Sequence, residues 1–344
     1  MHILDIIIPQ YKENDKILNR LLLSINKQKN IDFKSLGIII VNDASDVKLT
    51  KKLFKQFPRL NITYLRNEVN SGPGITRQNG VDASLAKYIT FMDADDMYYS
   101  NNALELVFNA IKEHEPDLIL TKWLEEDKVL NQINLIPHES DVIWVHGKFI
   151  KRQYLIDNNI RFSKNLRVHE DSFFSTLLMM SVDSPYYIDE FTYLWKHDAN
   201  SLVRAKRKYP YLVETYDDSL KSIKELSYEL FERKTPRYEE YIVKSIFYFA
   251  YSLQSYIFNQ DDYTKQLKDL YEYEALLYYK EYKDLLKVFS QQKINEFSKR
   301  QYDSLSSMLG NLNINLNINQ YYFSLGIKHK VNLWDVFKIL TKIQ

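Results

Sequence analysis

At 344 residues the chain exceeds the usual size of one domain, so two domains are expected. Hydrophobic residues make up 45% and charged residues 26%, the balance of an ordinary globular protein rather than a disordered or fibrous one. A net charge of +1 gives no electrostatic footprint for nucleic acid as the main partner, and the lack of cysteine excludes disulfides and thiolate-held zinc. The opening Met-His-Ile-Leu-Asp lacks the basic n-region of a signal peptide, and the longest charge-free apolar stretch, 245–260, is too short and too polar to span a bilayer. The expectation is a chain with no transmembrane segment and a cytoplasmic location, peripheral attachment at the inner membrane face included. Only seven glycines occur, and neither G-x-G-x-x-G nor G-x-x-x-x-G-K-[ST] is among their patterns. A bound nucleotide diphosphate would therefore need a metal and side chains, not a glycine cradle, to carry its charge.

In chain order, residues 3–9 form a continuous apolar run, as a strand buried on both faces requires. Asn14 suits an N-cap, and Ile17, Leu18, Leu21, Leu22 and Ile25 then recur at helical spacing. Residues 36–41 repeat the strand pattern and end in Asn42-Asp43. Leu49, Leu53, Phe54 and Phe57 predict a helix over 47–57, and 61–66 a third strand. Ser71-Gly72-Pro73-Gly74 reads as a turn before a helix over 75–86. The alternation of strand and helix predicts a parallel sheet with ligands outside its carboxyl edge. The polar clusters Gln10-Tyr11-Lys12-Glu13, Asn42-Asp43-Ala44-Ser45 and Asp93 to Asp96 all fall there, with Arg77 and Asn79 in a helix that opens nearby.

Tyr88 to Asp96 reads Tyr-Ile-Thr-Phe-Met-Asp-Ala-Asp-Asp. A buried strand explains the first part, but folding does not require three carboxylates at its end. Like charges this close repel unless something cationic sits among them. If strand geometry continues, Asp93 and Asp95 point the same way, and two hard oxygens suit Mg²⁺ or Mn²⁺. An acidic turn capping the next helix is the plainer alternative.

The runs Ile-Ile-Ile-Pro-Gln-Tyr-Lys-Glu, Val-Asn-Asp-Ala-Ser, Gly-Pro-Gly-Ile-Thr-Arg-Gln-Asn-Gly and Phe-Met-Asp-Ala-Asp-Asp, in this order, resemble glycosyltransferase family 2 over about residues 3–205. The resemblance implies an α/β fold of the GT-A type, a mostly parallel Rossmann-like sheet flanked by helices. It implies an inverting transferase that takes one sugar from a nucleotide sugar, a UDP-sugar above all. Pro9, Tyr11 and Glu13 would line the nucleoside pocket and Asp43 would bond the base. Arg77 would hold the diphosphate or the sugar, with a surface helix arginine as its bland reading. Asp95 and Asp93 would ligate Mn²⁺ or Mg²⁺, with Asp93 also touching ribose or sugar and Asp96 serving as helper or cap. Asp171, of the pair Glu170-Asp171, would be the catalytic base, although acidic residues also suit a first helical turn. His197, in the run 193–201, would face the metal and the diphosphate, as a third metal ligand or as a donor to the leaving diphosphate. Ser201 and Arg204 would follow it at the nucleotide, and the basic run Arg204, Lys206, Arg207, Lys208 reads either as a loop closing over phosphates or as a solvated linker. Trp144 stands where such enzymes build an acceptor wall, as a sugar platform or as core.

Residues 118–122 read as a further strand, and the charge run Glu125-Glu126-Asp127-Lys128 as a solvated turn. A catalytic domain over 1–208 and a mainly α-helical domain over 209–344 are expected. In the second, Leu212, Tyr216, Leu220, Ile223, Leu226 and Leu230 form a helical stripe and 311–319 alternates like a strand. Its expected work is homo-oligomerisation or acceptor docking. Candidate acceptors are a cell-surface glycan or a teichoic-acid-type polymer, with a protein or a phage-type modified DNA base as alternatives; the near-neutral charge disfavours nucleic acid. The rival classes are a nucleotidyltransferase, which lacks its glycine-rich loop here, and a non-catalytic scaffold built on a degenerate GT-A domain.

Overall fold

The computed structural model describes residues 2–129, 132–140, 143–197 and, from 221 to 235, all but 223, 224, 227 and 231. The chain divides into two compact units, Met1–Ser222 and Ile223–Gln344, and the elements below belong to the first. In the second unit the described residues from 225 to 233 are helical, in line with the leucine stripe that runs to Leu230. The expected helices after Pro236, the alternating run 311–319, Ser201 and Arg204 lie outside the described residues.

Strand β1 (Leu4–Gln10) is buried along nearly its whole length, and β2 (Leu36–Asn42) along all of it, as strands sandwiched on both faces must be. Helix α1 (Asp15–Asn26) begins where Asn14 accepts from the main-chain N–H groups of Lys16 and Ile17, satisfying two donors that the helix cannot. Helix α2 (Lys51–Lys55) is shorter than the predicted 47–57. Thr50 caps it by accepting from Leu53 N, and Asp15 accepts from Thr50 N, so the residues before Thr50 stay out of the helix. Strand β3 (Asn61–Arg66) matches its prediction. Helix α3 (Gly72–Ala83) starts three residues before the predicted position, because Pro73 sits in its first turn, where the missing N–H costs nothing.

Strand β4 (Tyr88–Phe91) is only four residues long, and the chain then turns, Asp96 N donating to Asp93 O at 3.1 Å. Strand geometry therefore does not continue through Asp93 and Asp95. Next come β5 (Met97–Tyr98), α4 (Ala103–His114), β6 (Leu118–Val129), β7 (Gln132–His138), β8 (Lys148–Lys151), α5 (Arg152–Asp157), α6 (Glu170–Ser181) and β9 (Tyr186–Trp195). Strand β6 runs through the charge run 125–128, which is no turn. Glu125 pairs across the strands with Ile136, Glu126 with Leu135 and Asp127 with Asn134.

The sheet has the order β3-β2-β1-β4-β8-β6-β9-β5, with β7 paired to β6. Its first four strands are parallel, with Ile6 beside Ile38 and Thr90. Beyond β4 the sheet is mixed: β8 is antiparallel to both β4 and β6, β9 is parallel to β6, and β5 is antiparallel to β9. A core of Ile6, Ile8, Leu18, Leu22, Ile38, Ile40, Tyr88, Leu104 and Trp123 runs beneath both parts. Among the described residues no helix is long and apolar enough to cross a membrane.

Candidate active site

The carboxyl ends of β1, β2 and β4 form one rim. Asp43, just past β2, is buried, and its two oxygens take three donors. Oδ1 accepts from Asn67 Nδ2 at 2.9 Å and from Ser71 N at 2.8 Å, and Oδ2 from Gly72 N at 2.9 Å. The carboxylate thus pins the start of α3 to the tip of β2. Past β1, Tyr11 is exposed with Lys12 Nζ 5.0 Å above its ring, and Tyr11 N donates to Glu13 Oε2 at 2.6 Å. Burial, with the charges of Asp95 and Asp93 added, pushes Glu13 up to about 7 against the pull of two main-chain N–H groups.

Arg77 is no surface arginine: it is 5% exposed. Its Nη2 donates to Asp93 Oδ1 at 2.7 Å and its Nη1 to Glu170 Oε1 at 2.9 Å, while Nε is buried without a partner among the described residues. One guanidinium therefore ties the acidic turn after β4 to the first turn of α6. Burial works to raise Asp93, but Arg77 and the ring of His146 overcome it and hold this carboxyl well below its ordinary range. Glu170 goes the other way, to about 7, because burial and the neighbouring Asp171 outweigh Arg77. The approach of α3 to α6 depends on Gly74, where a Cβ would stand 2.7 Å from Glu170 Cγ and 2.9 Å from its Cβ. Asp171 follows Glu170 in that helical turn, partly exposed, near enough to Arg77 to strengthen its charge.

Asp96 turns inward and is fully buried. Its Oδ2 accepts from Tyr193 OH and its Oδ1 from Lys196 N at 2.8 Å, so it joins the acidic turn to the end of β9. Burial, then the charges of Asp95 and Asp93, raise it well above the usual carboxylate range. Beside it lies His146, stacked on Tyr193 at 4.3 Å and 20° and on Trp144 at 5.6 Å and 8°. Trp123 meets the same ring edge-on at 5.1 Å, and Trp195 completes the cluster, 5.2 Å from Trp144. Trp144 and Trp195 are half-buried and pack on the core, so Trp144 has both a core face and an accessible one.

Asp93, Asp96 and His146 each offer a ligand atom within 4.8 Å of the other two. Two carboxylates and the imidazole of His146, whose Nδ1 is buried with no partner among the described residues, are a donor set that fits a divalent cation. Asp95 lies on the same turn, partly exposed, with Arg20 Nη2 donating to its main-chain oxygen. His197 stands outside this trio, its N–H donating to Glu126 Oε2 at 3.2 Å; Glu126 also pairs with Lys196 Nζ. Of the residues singled out in the sequence, Pro9, Tyr11, Glu13, Asp43, Arg77, Asp93, Asp95 and Asp171 thus gather at one edge, on β1, β2, α3, the turn after β4 and α6. His146 and Glu170 are the residues that sequence reasoning passed over. Their only signals were the Trp-Val-His-Gly run and an acid beside a candidate base.

Residues 5–183, just over half of the chain, match the family described as Glycosyl transferase family 2, and the chain belongs to that family. It is 23% identical to the "Uncharacterized glycosyltransferase EpsJ" of Bacillus subtilis (strain 168) over 229 residues, 60% of this chain and 64% of EpsJ. It is 27% identical over 206 residues to the poly(ribitol-phosphate) beta-N-acetylglucosaminyltransferase TarP of Staphylococcus aureus (strain N315), 53% of this chain and 61% of TarP. The chain thus spans less than two thirds of either curated relative's length. The crystal structure of S. aureus TarS 1–349 superposes with a TM-score of 0.62 at 17% identity, over 90% of this chain and 92% of that one. TarS 1–349 has also been solved with UDP and with UDP-GlcNAc. At such identity the likeness shows the fold, a GT-A-type curled mixed sheet with flanking helices.

Proposed function

We propose that the chain is a metal-dependent, inverting glycosyltransferase that moves a single sugar from a UDP-sugar to an acceptor hydroxyl. The observation that carries this reading is the Arg77 bridge, since it sets the acidic turn and the Asp171 helix on one rim, 2.7 and 2.9 Å from a single guanidinium. Family membership supports the transferase class, and the UDP and UDP-GlcNAc complexes of TarS support the donor. The names of TarP and of the poly(ribitol-phosphate) beta-glucosyltransferase of Bacillus spizizenii (strain ATCC 23059 / NRRL B-14472 / W23) favour a polyol-phosphate polymer of the teichoic acid class as acceptor.

In this reading Tyr11 offers its exposed ring to the base, with Pro9 and Glu13 around it. Among the described residues Asp43 Oδ2 takes one donor, so a lone pair stays available for uracil N3–H. Asp93 and Asp95 would hold Mn²⁺ or Mg²⁺, whose charge would offset that of the departing diphosphate. His197 donates to that diphosphate, with Ser201 and Arg204 beyond it. Arg77 keeps Asp93 ionised and in place. Asp171 takes the proton from the acceptor hydroxyl, and the freed oxygen attacks the anomeric carbon from the face opposite the diphosphate. Residues 209–344 serve homo-oligomerisation or acceptor docking, outside this chemistry.

The test is release of UDP from a panel of UDP-sugars with water as the surrogate acceptor, with Mn²⁺ and with EDTA. Slow metal-dependent hydrolysis of at least one donor is expected, and loss of metal-linked UDP binding in Asp95→Ala. Asp171→Asn should bind donor and fail to transfer. Absence of metal-linked UDP binding in calorimetry would leave the scaffold reading standing instead.

A further inference from the structure

We propose that His146 supplies the nitrogen ligand of this chain's cation site, with Asp96 as a further oxygen ligand beside Asp93 and Asp95, and that it makes the site prefer Mn²⁺ over Mg²⁺. The proposal rests on the metal-dependent reading above and places on His146 the nitrogen that the family resemblance assigns to His197.

The ring of His146 is held before any cation arrives. It is 3% exposed, clamped between Tyr193 and Trp144 and abutted by Trp123. The next residue, Gly147, has φ +64, and a Cβ there would stand 2.6 Å from Thr121 O, so only glycine carries the chain from His146 into β8 in this way. The clamp directs Nε2 at the acidic turn, 3.9 Å from Asp93 Oδ2. That separation is too long for a hydrogen bond. It suits two ligands of one small dication, which at bonds of about 2.1 Å can stand up to about 4.2 Å apart.

The carboxylates keep the lone pairs this requires. Asp93 commits Oδ1 to Arg77 and turns Oδ2 towards the imidazole. Asp96 takes Tyr193 OH on one oxygen and Lys196 N on the other, and each oxygen has a second lone pair. Nδ1 of His146 is buried with no partner among the described residues, so no hydrogen bond of its own competes for the ring's orientation. Among the described residues, aromatic packing and the glycine turn set it. An imidazole in the set discriminates between cations: Mg²⁺ keeps to oxygen and near-ideal octahedral geometry, whereas first-row transition ions accept nitrogen. The affinity order follows as Mg²⁺ below Mn²⁺ below Co²⁺.

The decisive measurement is electron spin echo envelope modulation of Mn²⁺ on the full chain, with Mn²⁺ alone and again with UDP. Modulation by a directly bound ¹⁴N is expected in the unmutated protein and in His197→Gln, and its loss in His146→Gln. Mn²⁺ affinity, read from the free-ion signal, should fall at least about tenfold in His146→Gln, with Mg²⁺ affinity unchanged. Should circular dichroism show His146→Gln unfolded, ¹⁵N-histidine labelling of the unmutated chain and of His197→Gln decides, the coupling having to change with the isotope and to survive loss of His197. Absence of nitrogen coupling in the unmutated protein, its persistence in folded His146→Gln, or its loss in His197→Gln overturns the proposal. None of these readouts uses a sugar donor. A failed hydrolysis screen would sink the transferase reading alone, and a nitrogen-free Mn²⁺ site in an active enzyme would sink this one alone.

Discussion

The parallel half of the sheet and its mixed half hold their acidic groups by different means. At the tips of β1 and β2, Asp43 is fixed largely by main-chain amides of the loop before α3, an arrangement that the local run Asn67 to Gly72 can build by itself. At the tips of β4, β8 and β9, Asp93 and Asp96 are held mainly by side chains from other elements, Arg77 on Asp93 and Tyr193 on Asp96, with one main-chain amide, that of Lys196, on Asp96. The amide-held half has its geometry from backbone topology, while the other half depends on particular side chains and has more to lose from each substitution. Arg77 crosses the divide and is the most consequential of them.

That contrast can be broken first at Arg77. Arg77→Ala leaves the buried Glu170 and the partly buried Asp93 facing one another without their cation, and urea unfolding should show a loss of about 3 kcal/mol. Arg77→Met, which fills the space without charge, should recover part of the loss if Glu170 takes up a proton. A loss from Arg77→Ala no larger than that of an exposed arginine would show that the two halves are independent. Next, Tyr193→Phe removes the hydroxyl on Asp96 and should cost about 1.5 kcal/mol in the same measurement. It should also weaken Mn²⁺ binding less than His146→Gln does.

The smallest effect is sought in the parallel half, in metal-free protein. Glu13 is raised from its ordinary 4.5 to about 7, by burial first and by Asp95 and Asp93 after it. The folded chain therefore holds this proton more tightly than the unfolded chain, so the stabilisation is complete below about 4.5 and is lost as pH rises through about 7. Thermal melts between pH 5 and 8 should show Tm falling with pH, and Glu13→Gln should flatten part of that slope. Glu170, also raised to about 7, keeps the remainder. An unchanged slope in Glu13→Gln would place the titration elsewhere.

Strands β1, β2 and β3 and the Asn14 cap could be read from the sequence because each is fixed within its own segment. The acidic tip of β4 could be read as a site, but not in its shape. Whether strand geometry ran on through Asp95 was decided by the turn from Asp93 to Asp96, and Asp96 faces inward because Tyr193 lies nearly a hundred residues on. The charge run 125–128 misled because its pairing partner, β7, arrives only after it. The insertion of β8 between β4 and β6 is likewise a pairing that no local period encodes. His146 went unassigned because its position follows from a glycine turn and three aromatic rings, and a lone histidine in a tryptophan-containing run announces neither.

Gly74 bears on any attempt to retool the protein. With Glu170 Cγ less than 3 Å from where a methyl would go, there is no clearance between the helix that carries Arg77 and the one that carries Asp171. Libraries would waste diversity at that contact, since even alanine must wedge the two helices apart and shift Asp171 relative to Arg77.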